Sequence, residues 1–395
     1  MVPLIFHMST IDDKIGYKVF SFRDVLMESE GTYHLSYQDP LVKEICEGLS
    51  TPEQKIEPGQ VRLDQFADGT SLFTLDENVR RKDVYAIFNL DPKKDPDGEL
   101  LRFMMFIKTF KKSHSGNVTA VIPNLYYSRQ DQSNGKRQII TARFLADLFK
   151  FSGMDHLITI GLHSPQIEGF YDSIDHLKTR GIMSHYLRES LGTRLSDLVE
   201  LDADTDEDGL KIYREGLVLV SPDAGGMRGV NELNRDFDPQ KILDVGFVQK
   251  ERTGINVSVS GKVVGYVEGK VAALYDDILD TGGSLAAAAA ALRKEGAIYI
   301  IACIDHFLGN SKGDTSIIDK LVNSEIDELV VTNTMPGVYE RIISDERLRN
   351  KVTVLSVGPL LKEAIIRDQK GYTIRDMTSH VGKENLYKVL HKAGD

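Results

Sequence analysis

Residues 271–291 gather the residue types that a phosphorylated sugar would need. Val271, Ala272, Ala273 and Leu274 form an apolar run of the kind a parallel sheet buries on both faces. The alanine-rich stretch after it predicts a helix with Ser284 at its N-cap. Between the two lie Asp276, Asp277, Asp280, Thr281, Gly282, Gly283 and Ser284. Small residues at a helix start expose unpaired backbone N–H groups at the positive end of the helix dipole, so residues 281–284 read as an anion cradle. A phosphate would be repelled by Asp276 and Asp277, whereas sugar hydroxyls or a metal ion suit them. The reading is therefore phosphate on the glycines and hydroxyls on the acids.

Four other segments fall where ligands belong. Residues 123–131, PNLYYSRQD, follow an apolar run; Arg129 and Gln130 suit a polyphosphate and a base or ribose, and the plain alternative is an exposed loop. His163 follows the run ending at Ile160 and suits a metal or a phosphate, with a structural histidine as the alternative. Asp223, before Gly225 and Gly226, suits a metal or a sugar hydroxyl, or is an ordinary turn residue. Gln249, Lys250, Glu251 and Arg252 precede a Gly-, Ser- and Val-rich, hairpin-like stretch ending near Gly265. That is either a solvated loop or a mobile arm whose two cations clamp a developing phosphate charge.

The elements that must carry these residues alternate. Leu41, Ile45 and Leu49 recur at helical spacing. Strands are predicted at 84–88, 118–122, 156–160, 217–220, 271–274, 298–304, 329–332 and 352–355, with helical stretches between them. The helix at 141–151 places Phe144, Leu145, Leu148 and Phe149 on one side. This grammar predicts an α/β fold with parallel sheets, right-handed crossovers and ligands at the C-terminal strand ends. An acidic, turn-rich segment within 184–215 marks the boundary, giving regions 1–185, 186–370 and an extension 371–395. Leu386, Val389 and Leu390 suggest an amphipathic helix in that extension.

Composition bounds the partners. A chain of 395 residues, 41% of them apolar, can build about two domains. The net charge of −11 argues against a nucleic-acid backbone as partner. Two cysteines without metal spacing, and no secretory segment, fit the cytoplasm. No apolar run reaches the roughly 18 residues of a membrane span. Asp204, Asp206, Asp208, Gly209 and Glu215 match a calcium-loop template in spacing. Lys211 occupies its usual apolar position and a strand-like stretch follows it, so it reads as a solvated acidic linker.

Five segments, YSRQD, LHSPQIEGFYD, SPDAGG, KER and DDILDTGGS, occur together in one order. Through them, residues 66–366 resemble the ribose-phosphate pyrophosphokinases, also called phosphoribosyl pyrophosphate synthetases, of which this is a divergent member. The last segment alone is similar to phosphoribosyltransferases in general; the other four narrow it. The resemblance implies two phosphoribosyltransferase-like domains, with ATP on the side of 1–185 and ribose phosphate on the side of 186–370. It implies Mg²⁺-dependent transfer of pyrophosphate from ATP to the C1 hydroxyl of ribose 5-phosphate. It also implies a dimer-based homo-oligomer, up to a hexamer. Carried over by position, Asp68, Arg129, Gln130, Asp131 and His163 serve ATP, with Asp68 reaching a neighbouring subunit's site. His163 and Asp223 serve Mg²⁺. Lys250 is the catalytic lysine and Arg252 its partner. Asp223, Asp276, Asp277 and residues 280–284 hold the ribose phosphate.

The chain departs from the family pattern around this pocket. Ala67 and Thr70 replace a proline and a glutamate near Asp68. Gly161 replaces the aspartate before Leu162-His163, and Tyr275 replaces the valine before the paired acids. These changes leave a second acceptor open, a larger 5-phosphorylated ribose such as ADP-ribose. A phosphoribosyltransferase, or a regulatory homologue without catalysis, is a further alternative. The former has no need of YSRQD, SPDAGG or the Lys250 arm, and the latter would lose that arm.

Overall fold

Runs of aliphatic residues become the strands of two mainly parallel sheets. The computed structural model describes residues 16–22, 25–27, 32–35, 39–89, 95–133, 135, 137–190, 203–205, 211–213, 216–237, 243–252, 258–310, 316–335, 337–374, 377 and 386–394. The first sheet orders Tyr17–Phe22, Asp83–Phe88, Val118–Ile122, His156–Ile160 and Ile174–Leu177, all parallel. The second has eight strands, ordered Ser258–Val264, Asp244–Arg252, Leu217–Ser221, Val271–Leu279, Tyr299–Phe307, Glu328–Thr332, Val352–Ser356 and Lys388–His391. Its six inner strands are parallel and its two edge strands antiparallel. A small antiparallel sheet, with Val61–Gln65 and Ser71–Leu75 as its last hairpin, branches from the first.

Helices cover these sheets through their apolar stripes. Pro96–Lys112 starts with Pro96 after Asp95, whose Oδ1 accepts from Asp97 N, and buries Leu100, Phe103, Phe106, Ile107 and Phe110. Each such side chain contributes about 1.5–3 kcal/mol through burial. Pro40–Leu49 buries Leu41, Val42, Ile45, Cys46 and Leu49, as the helical spacing predicts, and packs on Gly358–Lys370. That packing joins the two sheets, as do the bonds from Tyr85 OH to Asp368 Oδ2 (2.5 Å) and from Tyr186 OH to buried Glu328 (2.6 Å).

Two expectations change. The helix Thr141–Ser152 buries Ala142, Leu145, Ala146 and Phe149, while Phe144 is exposed; the buried stripe runs one residue off the predicted side. The predicted C-terminal helix is instead the edge strand Lys388–His391, paired with Val352–Ser356. An open sheet edge offers unpaired backbone groups, and pairing with it outweighs a short amphipathic pattern. The acidic linker holds a short antiparallel pair: Ala203–Thr205 pairs with Lys211–Tyr213, with Asp204 opposite Ile212. Asp206, Asp208, Gly209 and Glu215 lie outside the described residues. Both cysteines are free and buried. No helix among the described residues is long and apolar enough to cross a membrane.

Candidate active site

The strand Val271–Leu279 continues through Asp276 and Asp277, because Asp276 pairs in register with Ile304 of the next strand. The acids therefore sit on the sheet's C-terminal end, not in a turn. The helix Gly283–Lys294 follows. Its N-cap is Gly282, not Ser284. Gly282 has φ +73°, and a Cβ there would lie 2.5 Å from Ile317 Cδ1, so any other residue would be strained at this turn. Ser284 falls inside the first turn, where its N–H is one of the groups lacking an intrahelical partner.

A cavity of about 530 Å³ opens over this turn. The cradle 281–284, Asp276, Asp277, Asp280, Asp223, His163 and Arg129 all line it. Arg129 belongs to the first sheet's side and bonds Asp280 Oδ2 at 3.0 Å; Asn310 Nδ2 donates to the other oxygen at 2.9 Å. His163 Nδ1 meets Asp277 Oδ2 at 2.6 Å. The Asp277 hydrogen bond raises the imidazole's pKa, against its partial burial. Burial alone would raise Asp277, but the His163 bond and charge outweigh it and hold the carboxyl low. Burial, then the Asp277 charge, pushes Asp276 up to about 8. Asp223 Oδ1 caps Gly225 N and Gly226 N at 3.0 and 3.2 Å, which fixes its carboxylate at the rim.

Other predicted residues lie elsewhere. Gln130 does not line the cavity; its side-chain oxygen accepts from Thr141 Oγ1 at 2.6 Å. Asp131 is buried behind it and accepts from Gln166 Nε2 at 3.4 Å. Asp68 tips the exposed hairpin between Val61–Gln65 and Ser71–Leu75, where Oδ1 accepts from Thr70 N and Oγ1, and it is not part of the cavity. Lys250 and Arg252 lie in the strand Asp244–Arg252, with Arg252 opposite Ser258, so they belong to the antiparallel pair itself and not to a loop ahead of it. Their side chains lie outside the described residues.

The sequence reading missed several lining residues. His176 accepts from Leu162 N at 2.9 Å through Nε2 and meets Glu168 through Nδ1 at 2.7 Å, so it pins the loop carrying His163. Arg180 pairs with Glu232 at 2.5 Å. Tyr275 and Asp305 form the floor. An aspartate directly after the apolar run 299–304 was the readable signal for the last of these.

The comparisons with known proteins point to one family. Residues 32–153 match the N-terminal domain of ribose phosphate pyrophosphokinase, and residues 246–377 match the phosphoribosyl synthetase-associated domain. The ribose-phosphate pyrophosphokinase of Clostridium acetobutylicum is 36% identical over 314 residues, 79% of this chain and 87% of that protein. The chain belongs to the ribose-phosphate pyrophosphokinase family. The family member from Xanthomonas campestris is 31% identical over 341 residues, 86% of this chain and 94% of its own length. The crystal structure of phosphoribosylpyrophosphate synthetase from Mycobacterium smegmatis superposes with a TM-score of 0.70 at 26% identity, over 90% of this chain and 99% of that one. Pyrophosphokinase membership thus rests on both halves of the chain, and the two-sheet α/β architecture is the family's.

The donor set suits Mg²⁺. Among the described residues no group of three or more metal-binding side chains converges. Asp276 is raised chiefly by its burial and then by the charge of Asp277, with Asp223 a smaller contributor from the same cavity. A hard cation that keeps most of its waters and takes phosphate oxygens fits such a set of acids better than one needing a protein cage.

Proposed function

We propose that this pyrophosphokinase transfers the β,γ-pyrophosphoryl group of ATP to the C1 hydroxyl of ribose 5-phosphate, giving phosphoribosyl pyrophosphate and AMP. One observation carries the reading: a glycine cradle, a wall of acids and an arginine from the opposite sheet share one cavity. The 5-phosphate takes the N–H groups of 281–284. Asp276 and Asp277 accept from ribose hydroxyls, and Asp280 holds Arg129 across the cleft. The C1 hydroxyl oxygen attacks the β-phosphorus and gives up its proton to solvent, the bond from that phosphorus to the α,β-bridging oxygen breaks, and AMP leaves. Such a transfer needs positioning and charge neutralisation more than covalent help. Lys250 and Arg252, on their hairpin, close over the developing charge, each donor contributing about 3–4 kcal/mol. Closure also excludes water as a competing nucleophile.

Mg²⁺ is the cofactor of this reading: His163 and Asp223 would hold it or its waters, and it would supply charge neutralisation for the phosphates. Gln130, Asp131 and Asp68 belong to the ATP side, Asp68 through a neighbouring subunit of a dimer-based homo-oligomer. The exposure of its hairpin supports that placement, with Phe66 56% exposed. The division into an ATP region, 1–185, a sugar-phosphate region, 186–370, and an extension, 371–395, belongs to the same proposal, as does a cytoplasmic setting. The test is to incubate the protein with Mg-ATP and either ribose 5-phosphate or ADP-ribose and identify products by mass. AMP with phosphoribosyl pyrophosphate supports the proposal. AMP only with ADP-ribose moves the acceptor, and no AMP with either refutes the activity.

A further inference from the structure

Asp305 is a carboxylate in an apolar strand, 3% exposed, at the floor of the cavity. A buried carboxylate is costly unless hydrogen bonds satisfy it. Here Tyr275 OH donates to Oδ2 at 2.9 Å, and Thr179 Oγ1 donates to Oδ1. Each partner belongs to a different wall. Tyr275 immediately precedes the paired acids, and Thr179 lies between the strand Ile174–Leu177 and the helix Arg180–Ser190. The third wall is Gly161, which opens the loop to His163 with φ +56°. A Cβ at Gly161 would lie 3.1 Å from Asp305 Oδ2 and 2.8 Å from His306 Nε2. The room that a side chain at 161 would need is therefore held first by the buried ring of His306 and then by the carboxylate of Asp305. The neighbouring change is of the same kind: a Cβ at Gly229 would lie 3.0 Å from Tyr275 Cε1, so that glycine makes way for the ring.

We infer that Asp305 is a positioning residue that delivers, from the strand Tyr299–Phe307, the carboxylate for which position 161 has no side chain. It fixes Tyr275, and with it the spacing of Asp276 and Asp277 from His163. The inference rests on the function proposed above. One carboxylate serves the floor of the site and has two places from which to enter. Both places filled would set two carboxylates against each other, and neither filled would leave two buried hydroxyls without their acceptor.

The experiment moves the carboxylate. Asp305→Thr, Gly161→Asp and the double variant are compared with wild type for kcat and KM of AMP release and for melting temperature. Loosening a site by a fraction of an ångström to an ångström costs about ten- to a hundredfold in kcat, and this is the fall expected for Asp305→Thr. KM for ATP stays within about twofold, since ATP is held from the other wall. Gly161→Asp alone also loses activity, since its Cβ would meet His306 Nε2 at 2.8 Å on a left-handed backbone, and adding it to Asp305→Thr recovers part of the kcat lost, a non-additive cycle. Wild-type kcat in Asp305→Thr overturns the inference. So does a double variant that melts like Asp305→Thr yet turns over no faster. Should Asp305→Thr fail to fold, Asp305→Asn takes its place: an unchanged kcat overturns the inference, and a tenfold fall at constant KM supports it. Wild type releasing no AMP would overturn the functional reading and this placement with it, whereas the variant results strike the placement alone.

Discussion

Gly282→Ala should damage the sugar-phosphate cradle for a reason that can be calculated. Gly282 holds φ +73° at the N-cap, where an L-residue costs about 1–2 kcal/mol. Its new methyl would lie 2.5 Å from Ile317 Cδ1. That is the end of a flexible side chain, so Ile317 can turn aside for about 0.5–1.5 kcal/mol of rotamer strain. Against this, alanine stiffens the unfolded chain by about 0.4–1 kcal/mol. The net loss is about 2 kcal/mol. Gly283→Ala is the contrast: nothing lies within 4 Å of its Cβ position, it has no positive φ, and it opens the helix. Its stability should hold or rise by up to about 1 kcal/mol. The Gly282 variant also tilts the N–H groups that face the phosphate, and one lost bond to a charged group is worth about 1.5–3 kcal/mol. KM for ribose 5-phosphate should rise about ten- to a hundredfold. Urea midpoints of the two variants and AMP-release kinetics of Gly282→Ala are the assays. Equal midpoints for the two variants, or an unchanged KM in Gly282→Ala, would refute the reasoning.

The acid wall makes further predictions. His163 is raised above its ordinary 6.5 and Asp277 lowered below 3.8, so their ion pair is intact at least between those values. The Asp277 contribution to stability is lost as pH falls through its depressed pKa, and the His163 contribution as pH rises through its elevated one. A histidine NMR titration should show a midpoint above 6.5 that drops in Asp277→Asn; an unmoved midpoint would contradict the pairing. Asp276, at about 8, binds its proton more tightly folded than unfolded, so its contribution to stability is present in acid and fades as pH rises through about 8. Loss of that proton also makes it a better acceptor for sugar hydroxyls, so KM for ribose 5-phosphate should fall between pH 7 and 9 in wild type but not in Asp276→Asn. A flat profile in wild type would sink that role. Lys250→Ala should lower kcat by about a hundredfold or more while moving KM little, and equal effects on both would remove the lysine from the transition state.

Much of this architecture was legible because parallel strands buried on both faces read as uninterrupted apolar runs; Val118–Ile122 and His156–Ile160 begin and end where the sequence predicts. The cradle was legible because Thr281, Gly282 and Gly283 follow a strand and precede an alanine helix. Hidden features depend on partners distant in sequence. Asp276 and Asp277 look like turn residues but are held in a strand by pairing along Tyr299–Phe307. Ser284 looked like the cap because a left-handed glycine carries no side-chain signal. Leu386, Val389 and Leu390 have helical spacing, but an open sheet edge decides their state. The floor formed by Tyr275, Thr179 and Asp305 needs three separate strand ends to meet, which no local pattern shows.

The central claim is that two phosphoryl groups move as one unit from ATP to the anomeric oxygen of a pentose phosphate. The direct measurement uses ATP carrying distinguishable phosphorus labels on the β and γ positions, with ribose 5-phosphate and Mg²⁺. Both labels should arrive in the sugar product in equal amounts, with unlabelled AMP left behind. Transfer of the γ label alone with release of ADP, or no labelled sugar at all, would contradict the account.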